Sequence, residues 1–218
     1  MASQVTIYSI NGSCSDAVCA LCAHLGLRAD IRQRKDHDTA LTAINPERTV
    51  PTVIVEGGLV LTETTAILNH LARSHAVELL GRGAEERARN EELCSYIATS
   101  VYTAFLLRFR PDRYADEEGA RLAVKAKSET AIPQALDSLE ARIADKGFAI
   151  GENLTTSDFF LLVMLTWAER LDPGLLMQRP KLRAYWQRIQ AMPFYTKAFQ
   201  AAAAQHLTGD VGVAKILD

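Results

Sequence analysis

The chain has no block of like charge, no long apolar run and no internal repeat. Its 24 Lys and Arg stand against 26 Asp and Glu, a formal charge of -2. A surface dedicated to nucleic acid would show as a basic stripe, so nucleic acid is not an expected partner. No stretch reaches the roughly 18 apolar residues that a membrane-spanning helix needs, so no membrane association is expected. The start, Met1-Ala2-Ser3-Gln4, lacks the charged and apolar regions of a secretion signal, and the expected location is the cytoplasm. Cysteine is scarce, at four residues, and in a reducing compartment these are free thiols. Cys14, Cys19 and Cys22 have a spacing also found in iron–sulfur proteins. However, Val18, Leu21, Cys22 and Leu25 fall on one face of a helix, and Cys94 lies far along the chain. Buried cysteines behave as small apolar residues, so no metal or cluster is expected. Cys19 and Cys22 as a redox pair fare no better, because they sit inside the helix and not at its exposed start.

What is present is apolar mass and ordered punctuation. Of 218 residues, 48% are hydrophobic, enough core for one large domain or two small ones. Val5 to Ser9 alternates as a strand does, and Asn11-Gly12-Ser13 is a turn. Ser13 and Asp16 have capping-box spacing, with Cys14 the first residue of a helix that Gly26 stops. Arg28 to Gln33 is a second strand, parallel to the first, and Thr39 to Ile44 a short helix. From Asn45 to Leu68 the chain reads loop, strand, tight turn, strand, helix. Pro51 opens the strand, Thr52 to Val55 supplies a β-branched run, Glu56-Gly57-Gly58 turns it, and Thr62 is the expected N-cap of a helix ending near Ser74.

After Leu80-Gly81-Arg82-Gly83 strand signals disappear. Glu85 to Phe109 reads as one long helix, Asp116 to Asp145 as another bent or interrupted at Pro133, and Thr156 to Arg170 as a third. Shorter helices are expected over Pro180 to Ala191 and Phe194 to Ala203, and the tail Leu207 to Asp218 carries no clear signal. Thr155 and Asp158 form an N-terminal cap, which makes helix nucleation the first role of Asp158 and catalysis a remote one.

Two features of the central stretch suit a ligand. A cis Val50–Pro51 bond would leave the Val50 amide and carbonyl free to pair with an extended peptide, although cis is a minority state, about 5–6% of such bonds. The helix start at Glu63-Thr64 offers free N–H groups to a carboxylate, with the Glu63 side chain beside them for an ammonium. Read from these residues alone, a plain structural hairpin stays an equal alternative.

Thr49-Val50-Pro51 followed by Glu63-Thr64-Thr65-Ala66-Ile67 resembles the glutathione site of cytosolic glutathione transferases, and the resemblance spans nearly the whole chain. It implies an α/β plus all-α architecture. An N-terminal thioredoxin-like βαβ-α-ββ-α domain occupies residues 1–79, a linker 80–85 and an all-helical C-terminal domain 86–218. It also implies a homodimer and glutathione as co-substrate, conjugated to a small hydrophobic electrophile. Asn11-Gly12-Ser13-Cys14-Ser15 is similar to the Pro-Gly-Ala-Cys-Ser segment of bacterial beta-class members, which makes Cys14 the first candidate at the glutathione sulfur. A thiol at a helix start is expected to have a lowered pKa. Tyr8, at the end of the first strand, and Ser13 are rivals for that role. Thr49, Val50, Pro51, Glu63, Thr64 and Lys35 are the expected glutathione-binding residues, with Arg34 and Arg108 as further cations. Tyr102, Phe105, Leu106 and Phe109 recur at helical spacing and are expected to wall the electrophile pocket or simply to pack. One departure is plain: Tyr102 and Thr103 stand where the beta class carries a His-Lys pair. Glutathione-dependent reduction of disulfides or peroxides through Cys14, and ligand binding without catalysis, are the alternative functions.

Overall fold

Residues 4–196 are described by the computed structural model. The alternating segment forms β1, Gln4–Ser9, and Gly26 closes α1, Ser15–Leu25, in the left-handed conformation (φ 66°) that glycine adopts without strain. β2, Arg28–Gln33, lies parallel to β1 in register from Gln4 opposite Arg28 to Ser9 opposite Gln33. α2 spans Arg34–Ile44, five residues longer at its start than the sequence suggests, with a non-helical break at His37. β3, Thr52–Ile54, runs antiparallel to β1, with Tyr8 opposite Thr52. A tight turn at Glu56–Gly58 places Gly57 and Gly58 at positive φ and returns the chain into β4, Val60–Leu61. The sheet order is therefore β2-β1-β3-β4, followed by α3, Thr64–His75. This is the thioredoxin-like arrangement expected from the order of elements.

No strand follows among the described residues: the elements are helices joined by loops, with one isolated bridge between Phe148 and Gly151. The expected long helix is α4, Ala84–Tyr96, and α5, Tyr102–Phe109, joined by a π-helical turn at Ile97–Val101 whose flanking residues keep helical dihedrals. α6, Glu118–Arg142, runs through Pro133 without interruption. Buried Arg179 reaches across to it, donating to the Pro133 carbonyl at 2.9 Å and pairing with Asp137 at 2.6 Å. α7 is Thr156–Leu171; a short α8, Gly174–Met177, which the sequence did not announce, precedes α9, Pro180–Gln190. The helix expected over Phe194–Ala203 lies mostly, and the tail wholly, outside the described residues.

α7 is the centre of the molecule. Every residue from Thr156 to Ala168 is buried, the signature of a helix apolar on all sides. Such a helix cannot leave its first N–H groups to water, so the predicted cap is required. Asp158 accepts from the Thr155 N–H at 2.7 Å, from the Ala149 N–H at 2.8 Å and from the Tyr185 hydroxyl at 2.9 Å. Thr156 donates to Asn69 of α3 and accepts from Asn90 of α4, both at 2.8 Å, while Asn90 also takes the Ser157 N–H at 2.9 Å. This buried network docks the sheet-bearing half onto the helical half. α1 also packs on α7, which places the N-terminus of α1 against helical-domain side chains.

Candidate functional site

The loop ahead of β3 is organised by Asn45. Its amide donates to Thr52 Oγ1 at 2.9 Å and to Thr49 Oγ1 at 3.0 Å, while its carbonyl accepts the Glu47 N–H at 3.2 Å. Thr52 in turn donates to the Thr49 carbonyl at 2.8 Å. A single buried side chain thus holds both flanks of the Val50–Pro51 bond, which is cis. Among the described residues nothing bonds to the Val50 N–H or carbonyl, so that peptide edge is open.

α3 begins one residue later than expected. Glu63, not Thr62, is the N-cap, at φ 65° and ψ 116°, a left-handed region that costs a non-glycine residue about 1–3 kcal/mol and clusters at ligand sites. Its exposed side chain makes no capping bond. The first intrahelical bond runs from Ile67 N–H to Glu63 at 3.0 Å, so the amides of Thr64, Thr65 and Ala66 remain available. The Thr65 hydroxyl in the same turn is buried without a partner.

α1 packs on α3, and the Thr64 side chain lies near enough to the Cys14 thiol to oppose its pKa rise. The capping box is absent here: Ser13 Oγ takes the Ser15 N–H at 3.2 Å, and Asp16 reaches past Ser13 to the Gly12 N–H at 3.1 Å. The Gly12 carbonyl accepts from Trp167 Nε1 of α7 at 2.6 Å. Both ends of the Gly12 residue are therefore held, at positive φ where glycine is at ease, and the residues leading into Cys14 are fixed by two helices.

Cys14 is not the low-pKa thiol that its helix position suggests. Burial pushes it up to about 12; Thr64 works against the rise, and the charges of Asp16 and Glu63 add to it. Magnitudes decide the outcome. A helix terminus contributes about 0.3–1 kcal/mol, whereas a rise from 9.0 to about 12 corresponds to about 4 kcal/mol. At neutral pH Cys14 is a neutral thiol, a weak hydrogen-bond donor and no nucleophile.

The rivals are placed elsewhere. Tyr8 is buried in the sheet; its hydroxyl accepts from Arg32 of β2 at 3.2 Å, and the guanidinium lies 5.7 Å from its ring centre. Ser13 donates its proton to Ser15 Oγ at 3.0 Å. Lys35 is exposed in the first turn of α2 and is not brought to the others by any contact among the described residues, and Arg34 is paired with Asp38 at 3.4 Å. Phe105 is a core residue, 0% exposed, with Trp167 5.7 Å and Phe109 5.9 Å away between ring centres, so it does not wall an open pocket. Tyr102, Leu106 and Phe109 are half-buried, and Tyr102 lies 6.0 Å from Trp167. Burial raises the Tyr102 phenol, and Arg113 works against the rise.

Comparison with known proteins matches both halves. Residues 12–74 fit the family described as Glutathione S-transferase, N-terminal domain, and residues 97–193 that described as Glutathione S-transferase, C-terminal domain. Glutathione S-transferase alpha-1 of Rattus norvegicus is 30% identical over 163 residues, 74% of this chain and 70% of that protein. The chain belongs to the glutathione S-transferase family. Glutathione S-transferase GstA of Escherichia coli O157:H7 is 26% identical to this family member over 196 residues, 84% of this chain and 94% of that protein. The bacterial beta class glutathione S-transferase of Sphingomonas chungbukensis has the same fold, with a TM-score of 0.76 at 26% identity over 90% of this chain and 98% of that one.

Two residues of this family member escape sequence reasoning. Asn45 carried a signal, an Asn-Pro pair at the head of the loop, but its partners lie four to seven residues away around a cis bond. Trp167 carried only the general rule that a buried indole N–H seeks an acceptor. Its acceptor is 155 positions away.

Proposed function

We propose that this chain conjugates reduced glutathione to a small hydrophobic electrophile, as a beta-like member of its family. The observation that carries the reading is the juxtaposition of an unpaired Val50 peptide edge, the open N-terminus of α3 and the Cys14 thiol near Thr64. In this reading the cysteinyl backbone of glutathione pairs with Val50, while Thr49 and Pro51 shape that edge. Its γ-glutamyl carboxylate takes the amides of Thr64 and Thr65, and its ammonium meets Glu63. The ligand sulfur then lies over Cys14. A thiolate there is stabilised by donors and attacks the electrophile, which rests on Tyr102, Leu106 and Phe109.

A neutral, buried Cys14 supports conjugation over disulfide reduction, since exchange chemistry needs a thiolate. No helix among the described residues is long and apolar enough to cross a membrane. A homodimer acting in the cytoplasm, with domains divided near residues 80–85, completes the proposal. Calorimetry with reduced glutathione, followed by turnover with a panel of electrophiles, tests it. A saturable signal with turnover is expected. Binding without turnover on any electrophile would leave a ligand-binding protein, and no binding at millimolar ligand would remove the reading.

A further inference from the structure

We propose that Trp167 is a positioning residue for the conjugation: its single indole ties the loop that leads into Cys14 to the aromatic wall on α5, and so sets how the glutathione sulfur faces the electrophile. The inference rests on the conjugation reading above and adds the group that joins its two halves.

The indole is held at two places. Its N–H donates to the Gly12 carbonyl at 2.6 Å, two residues before Cys14. Its ring meets Tyr102 at 6.0 Å, Phe105 at 5.7 Å and Phe109 at 5.4 Å between centres. Tyr102 and Phe109 are half-buried rings on which the electrophile rests in that reading, and they stand two turns apart on α5. A tryptophan has only two side-chain torsions, so a turn of this ring would break either the N–H bond or the packing. The other bonds of the loop stay on the sheet-bearing side. Asp16 takes the Gly12 N–H at 3.1 Å, Gln33 of β2 donates to Asn11 at 2.9 Å, and the Ser13 N–H returns to the Ile10 carbonyl at 3.1 Å. The Trp167 bond crosses to the helical side, where α5 stands.

Burial alone does not place such a bond. Trp186, the other tryptophan of the chain, is 2% exposed, and among the described residues its indole N–H has no partner. Reaction geometry gives the Trp167 bond its consequence. The sulfur and the carbon under attack must come to about 3–3.5 Å in line, and an error near 1 Å costs about a hundredfold in rate. In the conjugation reading the sulfur is located from β3, α3 and the Cys14 loop, and the electrophile from α5. Trp167 touches both the loop and the wall. It takes no part in the bond changes: the thiolate forms the S–C bond, the leaving group departs with its electron pair, and the indole keeps its proton.

The test replaces Trp167 in the full chain by benzothienylalanine, which keeps both rings and puts sulfur where the N–H was, and separately by phenylalanine. Single turnovers with chlorodinitrobenzene, or with whichever electrophile of the panel the chain turns over fastest, read the chemical step. Benzothienylalanine should slow that step roughly tenfold to a hundredfold, while KM for the electrophile and the dissociation constant for glutathione each stay within about threefold. Trp167→Phe should slow it as much and also raise KM for the electrophile, because the wall loses packing. The bound glutathione thiol, titrated by its ultraviolet absorbance, should not move in either protein, since no donor to the sulfur is removed. Trp186→Phe, scored per glutathione-binding molecule, should keep the rate. An unchanged single-turnover rate without the Trp167 N–H overturns the assignment and leaves the conjugation reading intact. So does a fall that glutathione affinity follows in proportion, or one that Trp186→Phe matches, since either marks a fold merely loosened. No turnover of any electrophile by the unaltered chain overturns conjugation and the inference with it.

Discussion

Replacing Asp16 by asparagine separates two effects that a helix start usually confounds, the benefit of an acid near N–H groups and the cost of burying its charge. Asp16 is buried in the first turn of α1, and burial raises its carboxyl from 3.8 to about 7 against the pull of the Gly12 N–H and of Arg170 on α7. The groups facing it are Cys14 and Cys19, both held neutral, and Arg170. The folded pKa lies above the unfolded one, so the folded chain binds the extra proton and stability falls as pH rises between the two values. Full ionisation of Asp16 above about pH 7 costs about 4 kcal/mol relative to an unburied carboxylate. The substituted side chain would keep an oxygen for the Gly12 N–H and carry no charge, but its amide leaves a donor short of a partner at about 1–2 kcal/mol. Measured by urea unfolding, Asp16→Asn should therefore gain on the unaltered chain by about 2–3 kcal/mol between about pH 5 and about pH 8, whatever its offset at the acid end. Parallel pH profiles for the two proteins would refute the reasoning. They would mean that water or Arg170 compensates the buried carboxylate fully.

Three further outcomes are expected. Asn45→Ala removes the buried hub of the Thr49–Thr52 loop and should lower stability by about 2–3 kcal/mol; glutathione affinity measured by calorimetry should fall with it, because the Val50 edge loses its support. Glu63→Ala should weaken glutathione binding by only about 1 kcal/mol, since the carboxylate is exposed, and a loss above about tenfold would show a desolvated contact instead. Thr155→Ala should cost about 1 kcal/mol in thermal or urea unfolding with kcat unchanged in the folded protein, as befits a cap on α7 far from the proposed chemistry.

The order of elements was legible from the chain alone because local physics decides it. The β-branched run after Pro51, the glycines of the Glu56–Gly58 turn, Gly26 at the end of α1 and the Thr155–Asp158 cap each act within a few residues. Cis at Val50–Pro51 stood in the sequence only as a minority state and is the one the fold adopts, while α3 opens one residue past its expected cap. The chemistry of the site was not legible, because it depends on what the fold lays over it. Cys14 occupies the helix start where a thiol should ionise easily, yet α3 and α7 cover that start, and desolvation outweighs the dipole severalfold. Phe105 and Phe109 share one helical spacing and both meet Trp167, yet only the first is sealed into the core. Tyr8 and Tyr102 look alike in sequence; one is buried in the sheet with its hydroxyl on Arg32, and the other is half-buried against Trp167 of α7. Backbone propensity is summed over neighbours in the chain, whereas charge, proton affinity and exposure are summed over neighbours in space, and here the deciding neighbour of Gly12 is 155 positions away.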